Sequence, residues 1–228
     1  MVLPVILTIL KCFQNLSTME SKTTFMNNIF HFLYLSETPY LKIIHRLGYP
    51  NLEALSEREK KMIDQSIESC QTIWEPQGII KTFPILEVRE NEVLTDLFSI
   101  PGKDIAKLLQ TSSFVSLFAV TSGEKALKFK NDLFDKKEIT KAAILDAVLS
   151  EMTDSLAEEL NKNLKRMASL KAYNLTRRFS PGYGDLSLSF QKVLLETLDS
   201  EKIGITLNEK YIMKPEKSVT AVVGWTKI

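Results

Sequence analysis

The chain has 228 residues, enough for one large domain or two small ones with a sizeable buried core. Its apolar share of 44% and charged share of 25% place it among ordinary folded globular proteins. Its 29 basic residues nearly cancel 28 acidic ones, which excludes a general electrostatic pull towards nucleic acid or an anionic membrane surface.

The N-terminal run Val2 to Leu10 is nearly all apolar and stops at Lys11. A bilayer needs about 20 such residues, so the run is too short to span one. It also lacks the basic start and small-residue cleavage site of a signal peptide. Met26-Asn27-Asn28-Ile29 offers a second start, and residues 1–37 are read as an extension or mis-called start ahead of a domain at 38–228. Two cysteines, Cys12 and Cys70, and two histidines, His31 and His45, are too few and too scattered for zinc, which takes about four such ligands. A disulfide framework is equally unsupported, and a reducing cytoplasm is the simpler expectation.

In chain order, Leu41, Ile43, Ile44 and Leu47 predict a short helix, stopped by Gly48 and Pro50. Ser56 and Glu59 form a capping box that starts a second helix, with Met62, Ile63, Ile67, Cys70 and Trp74 as its core stripe. Residues 79–88 read as extended chain, Asp104 to Leu109 as a short helix, and Ser113 to Thr121 as a buried strand. Glu124 to Phe134 returns to helix. The longest helix is predicted from Thr140 to Leu170, with Leu145, Leu149, Met152, Leu156, Leu160 and Leu164 along one face. Glu151, Asp154 and Glu158 share another face of it, which pattern alone reads as solvated. A polar loop at 174–185, a helix at 187–198, and extended segments at 211–213 and 219–225 complete the chain. Strands and helices without strict alternation imply a single α+β domain.

The most informative segment is Arg177-Arg178-Phe179-Ser180-Pro181-Gly182-Tyr183-Gly184-Asp185. Pro181-Gly182 is a strong turn signal. Glycines on both sides of Tyr183 leave backbone groups open to a ligand. Arg178 offers a planar fork for a carboxylate, and Tyr183 an aromatic face with a hydroxyl. These groups could hold an amino-acid carboxylate beside a flat aromatic group, although the pattern alone reads first as an ordinary surface turn.

Arg178-x-x-Pro181-Gly182-Tyr183 resembles the Arg-x-x-x-Gly-Tyr signature of the activation domain of cobalamin-dependent methionine synthase. The similarity continues in Ile203-Gly204-Ile205-Thr206-Leu207-Asn208-Glu209, with Asn208 where Thr is usual, and in Met213-Lys214-Pro215 through Ser218-Val219-Thr220. Ala147 to Leu160 resembles the acidic helix upstream of the signature, and Asp154 falls where the family has a Glu that contacts S-adenosylmethionine (SAM). The likeness is strongest over residues 140–225 and weaker back to about residue 41. The family's further acidic ligand near the N-terminal end has no counterpart that the sequence identifies.

The resemblance implies a twisted antiparallel sheet with surrounding helices, and a SAM site of Asp154, Arg178, Ser180, Gly182 and Tyr183. In it, Arg178 would pair the carboxylate, and the backbone of Ser180 and Gly182 would read the adenine or methionine part. Asp154 would pair a positive or hydroxyl group, and Tyr183 would lie towards the corrinoid. The implied role is a stand-alone reactivation subunit for a cobalamin-binding methionine synthase lacking its own activation domain. Flavodoxin or another reductant would supply the electron, and cobalamin would be carried by the partner. Because cobalt is the nucleophile, no catalytic side chain and no metal ligand is expected in this chain. A reactivator of another corrinoid methyltransferase, or a non-catalytic SAM-sensing or scaffold domain, are the alternatives.

Overall fold

The computed structural model describes residues 26–32 and 35–228. Residues 1–25 of the segment read as an extension or mis-called start lie outside them. Among the described residues, six α-helices surround a five-stranded antiparallel sheet, with two small antiparallel sheets beside it. The α+β architecture expected from the sequence is therefore the one observed.

The large sheet has the order β1 (Met26–His31), β2 (Gln77–Pro84), β6 (Ser112–Thr121), β10 (Ser218–Lys227), β7 (Tyr173–Leu175). β1 pairs with β2 from Met26↔Thr82 to His31↔Gln77, so this edge strand comes from the segment before residue 38. The central strand β6 is buried on both faces, which is why it reads as a continuous apolar run rather than an alternating one. Its Val115, Leu117 and Ala119 join Ile79, Phe83 and Val222 on one face. Its Phe118 and Val120 join Ile80, Ala221, Val223 and Trp225 on the other. The buried hydroxyls of Ser116 and Thr82 are paired: Trp225 Nε1 donates to Ser116 Oγ at 2.7 Å, and Thr82 Oγ1 lies 2.7 Å from the same atom.

The first face is covered by α3 (Lys103–Leu109) and α6 (Phe190–Leu198). Between β2 and α3 the chain makes a small sheet, β3 (Glu87–Val88), β4 (Glu92–Leu94) and β5 (Ser99–Pro101). The predicted extended run at 79–88 is thus two strands, one in each sheet. The second face is crossed by α5 (Ile139–Ser169), whose Leu156, Ala157, Leu160, Leu164 and Ala168 pack on it. The first half of α5 leaves the sheet. There Leu145, Val148, Leu149 and Met152 form a second core with α1 (Tyr40–Arg46), α2 (Glu57–Ile73) and α4 (Glu124–Asp135). The Ser56–Glu59 capping box opens α2 as its sequence requires.

Two segments differ from expectation. Tyr173–Leu175, placed at and just before the start of the polar loop, forms β7 against Trp225–Lys227, because Tyr173 and Leu175 pack into the sheet core. The helix predicted from Ser187 begins at Phe190, after a turn in which the Ser187 hydroxyl meets the Ser189 backbone N–H at 3.2 Å. After α6, a hairpin of β8 (Thr206–Leu207) and β9 (Met213–Lys214) returns the chain to β10. Asn208 shapes its turn by accepting the Lys210 and Ile212 backbone N–H groups, both at 2.9 Å.

Candidate functional site

The signature segment leaves β7 and runs on along β10. Thr176 donates its N–H to the Gly224 carbonyl at 2.9 Å, and its hydroxyl accepts the Gly224 N–H at 2.8 Å. A side chain at Gly224 would collide with Ser112 Oγ and Leu109 Cδ2, so this close approach needs glycine. Phe179 then forms a two-way bridge with Val222, at 3.0 and 2.7 Å, and packs into the core on the α3–α6 face. Ser180 pins the next residue by donating its hydroxyl to the Thr220 carbonyl at 2.6 Å. Arg178 lies between the Thr176 and Phe179 anchors, so its backbone is held alongside β10.

Pro181 to Leu186 form a closed loop. Gly182, at φ 90°, donates its N–H to the Leu186 carbonyl at 2.8 Å, and Leu186 donates to Tyr183 at 3.1 Å. The Ser180 carbonyl accepts the Tyr183 N–H at 3.3 Å. The Gly182 N–H is thus spent inside the loop, and its carbonyl has no partner among the described residues. Tyr183 is 70% exposed, an unusual position for a large aromatic ring without a contact surface.

The charge of Arg178 reaches α5 at Asp154. Asp154 is half-exposed, and its carboxyl is pushed above the ordinary aspartate value. Burial is the largest cause, followed by the neighbouring Glu151 charge, while Arg46 and Arg178 pull the other way. The structure thus brings Asp154 and Arg178 into one electrostatic neighbourhood although they come from a helix and a distant loop. A zwitterionic amino acid needs this pairing, a cation for its carboxylate beside an anion for its ammonium. The exposed Tyr183 ring and the Gly182 carbonyl follow Arg178 within the same short segment. The Ser180 hydroxyl is occupied by the Thr220 carbonyl.

A model of the vitamin B12-dependent methionine synthase activation domain matches residues 89–227, more than half of the chain. The chain belongs to that family. Its fold is shared with a crystal structure of the MetH reactivation domain bound to AdoHcy, at TM-score 0.64 and 14% identity over 89% of this chain and 80% of that one. No curated protein sequence matches. Within this activation-domain fold, the sequence motifs take structural roles: Gly204 ends a 3-10 turn at φ 73°, and Ser218 joins Pro215 and Thr121 through its hydroxyl.

Sequence reasoning missed three participants. Glu151, read as part of a solvated face, is only 9% exposed and binds Arg46 of α1. Arg46 itself also faces Asp154, at 3.8 Å. Asp185 docks the loop on the start of α3. The i, i+4 spacing of Lys42 and Arg46 against Glu158 and Glu151 was the available signal, but no sequence pattern states which helices lie side by side.

Proposed function

We propose that the chain is a SAM-binding reactivation subunit, supporting reductive methylation of cob(II)alamin in a cobalamin-dependent methionine synthase that lacks its own activation domain. The observation that carries this reading is a chain of the activation-domain family in which the charge of Arg178, from the signature segment, acts on Asp154 of α5. Cobalamin bound by the partner supplies the nucleophile, its cobalt, and a reductant such as flavodoxin supplies the electron.

The work left to this chain is positioning. Arg178 holds the SAM carboxylate and Asp154 its ammonium, which fixes the methionine arm along α5. The Gly182 carbonyl accepts from the ligand's polar edge. Tyr183, exposed beyond the turn, lies on the side from which the corrinoid approaches. One observation favours the alternative of a non-catalytic SAM-sensing or scaffold domain: Arg46 already supplies a cation near Asp154.

Calorimetric titration with SAM tests the site. Removing Arg178 leaves the carboxylate without its charge-assisted partner, and Arg178→Ala should cost about 1.5–3 kcal/mol of binding. Equal affinity in the two proteins would end the assignment. A reactivation assay with cob(II)alamin synthase, reductant and SAM then separates the subunit from the scaffold. Turnover restored only when this chain is present is the expected result.

A further inference from the structure

α1 lies on α5 through Ile43 and Ile44, and its basic residues meet the acidic stripe of the longer helix. Lys42 pairs with Glu158 at 2.9 Å, and one turn later Arg46 reaches Glu151. The Arg46 Nε donates to Glu151 Oε1 at 2.5 Å, whereas its Nη2 stops 3.8 Å from Asp154 Oδ2. The guanidinium is therefore hydrogen-bonded to one carboxylate and only leans towards the other. Glu151 is the more enclosed of the two, its side chain 11% exposed against 51% for Asp154. An enclosed carboxylate needs a bonded cation more than a half-exposed one does.

Arg46 is thus a tethered cation with two carboxylates in reach. An ammonium arriving at Asp154 must compete with it. We propose that Glu151 is a positioning residue that holds the Arg46 guanidinium off Asp154 and so keeps that carboxylate open to the ammonium of a zwitterionic ligand. The inference rests on reading Asp154 and Arg178 as the pair that grips the amino-acid part of SAM. It adds a selectivity device: two arrangements of one arginine, open when it sits on Glu151 and closed when it sits on Asp154. The fraction of open protein scales the apparent affinity for any ligand that needs Asp154. Ligands without an ammonium are indifferent to it.

Glu151→Gln removes the charge that holds Arg46, so the arginine should move onto Asp154. If the open form then falls to about a tenth of the protein, SAM binding weakens roughly tenfold. 5′-Methylthioadenosine, which lacks the amino-acid arm, should bind as it does to the unaltered chain. A crystal structure of the variant should show Arg46 within hydrogen-bond distance of Asp154. Replacing both partners, Arg46→Met with Glu151→Met, removes competitor and holder together and leaves no unpaired charge; SAM affinity should equal or exceed that of the unaltered chain. This double variant also decides the matter if Glu151→Gln does not fold. Unchanged SAM affinity in Glu151→Gln, an equal loss for both ligands, or a weakened double variant would each overturn the proposal. If the unaltered chain binds 5′-methylthioadenosine but not SAM, the SAM reading falls, and the position of Arg46 in the Glu151→Gln crystal structure alone decides this one.

Discussion

Asp185 and Lys103, 82 positions apart, are joined by a hydrogen bond in which the Lys103 backbone N–H donates to the Asp185 carboxylate at 2.5 Å. Asp104 donates its backbone N–H to the same carboxylate at 3.2 Å. The residue before α3 is Gly102, which has no side chain to cap the helix, so the capping anion comes from the signature loop. The approach is close on both sides: a Cβ on Gly102 would stand 2.8 Å from Asp185 Oδ1, and one on Gly184 2.5 Å from Asp104 Oδ2. One carboxylate thus ends the signature loop and starts a core helix. Asp185→Ala should lower stability by about 1 kcal/mol, the usual cost of a lost cap. It should also weaken SAM binding, because the turn carrying Gly182 and Tyr183 loses its far anchor. Urea unfolding and SAM titration on the same sample measure both. A stability loss with full SAM affinity would show that the loop holds its shape without the cap.

Ligand binding should also depend on acid pH in a particular way. The Asp154 carboxyl is raised above the ordinary 3.8 by burial and by Glu151 and Glu158, and lowered by Arg46 and Arg178. Its folded value lies above its unfolded one, so the ionised form opposes folding at neutral pH and that cost fades as pH falls through the folded value. An incoming ammonium needs the ionised form. SAM affinity should therefore begin to fall at a higher pH than an unperturbed aspartate would allow. Arg178→Ala removes one counter-charge and should push the Asp154 value up further. Carbon-detected NMR titration of the carboxyl group reads this directly. An Asp154 value below 3.8, unmoved by Arg178→Ala, would contradict the arrangement.

The legible parts of this molecule were those set by local chemistry. The Ser56–Glu59 capping box, the apolar stripe of α5 and the all-apolar strand β6 are written in spacings of a few residues. The segment holding Arg178, Gly182 and Tyr183 stands out because a turn, a planar cation and an aromatic ring sit within six positions of sequence. The illegible parts depend on contacts between distant segments. β7 is a three-residue strand whose pairing is decided by β10, some fifty positions on. Glu151 reads as one more surface acid until α1 is laid beside α5. Asp185 looks like a loop residue until the start of α3 is brought to it.

The capping box makes a second pH prediction, this one about stability. Glu59 accepts the Tyr49 hydroxyl at 2.6 Å, the Ser56 hydroxyl at 2.7 Å and the Ser56 backbone N–H at 2.8 Å. These bonds favour the ionised form and lower its pKa from 4.5 to about 2, the Tyr49 bond contributing most. The folded value is depressed, so the stabilisation is complete above the unfolded value and is lost as pH falls from 4.5 towards 2. Tyr49→Phe should narrow that window from below by raising the Glu59 value. Side-chain NMR titration from pH 6 to pH 2 would show it, about the pH range in which paired carboxylates protonate. An unshifted Glu59 value would mean that Ser56 alone holds the carboxylate.

Cys70 gives the last prediction. It is fully buried between α2 and α5, with Sγ 3.4 Å from Met152 Sδ, and burial raises its pKa from 9.0 to about 12. The reactive species is the thiolate, and a thiol this enclosed supplies almost none at neutral pH. Cys12 lies outside the described residues, so a Cys12→Ser chain isolates the signal from Cys70. In that chain a thiol reagent at pH 8, near the pKa of about 8.5 of a free cysteine, should find no reactive group until the second core opens. The labelling rate should then follow the unfolding of the α1–α2–α4–α5 core, rising with urea in step with the loss of helix signal. A SAM molecule held at Asp154, as proposed, stabilises the folded form by mass action and should slow the labelling. Rapid labelling of Cys70 in the absence of urea would show that α2 separates from α5 without global unfolding, and would identify this core as the weakly held part of the fold.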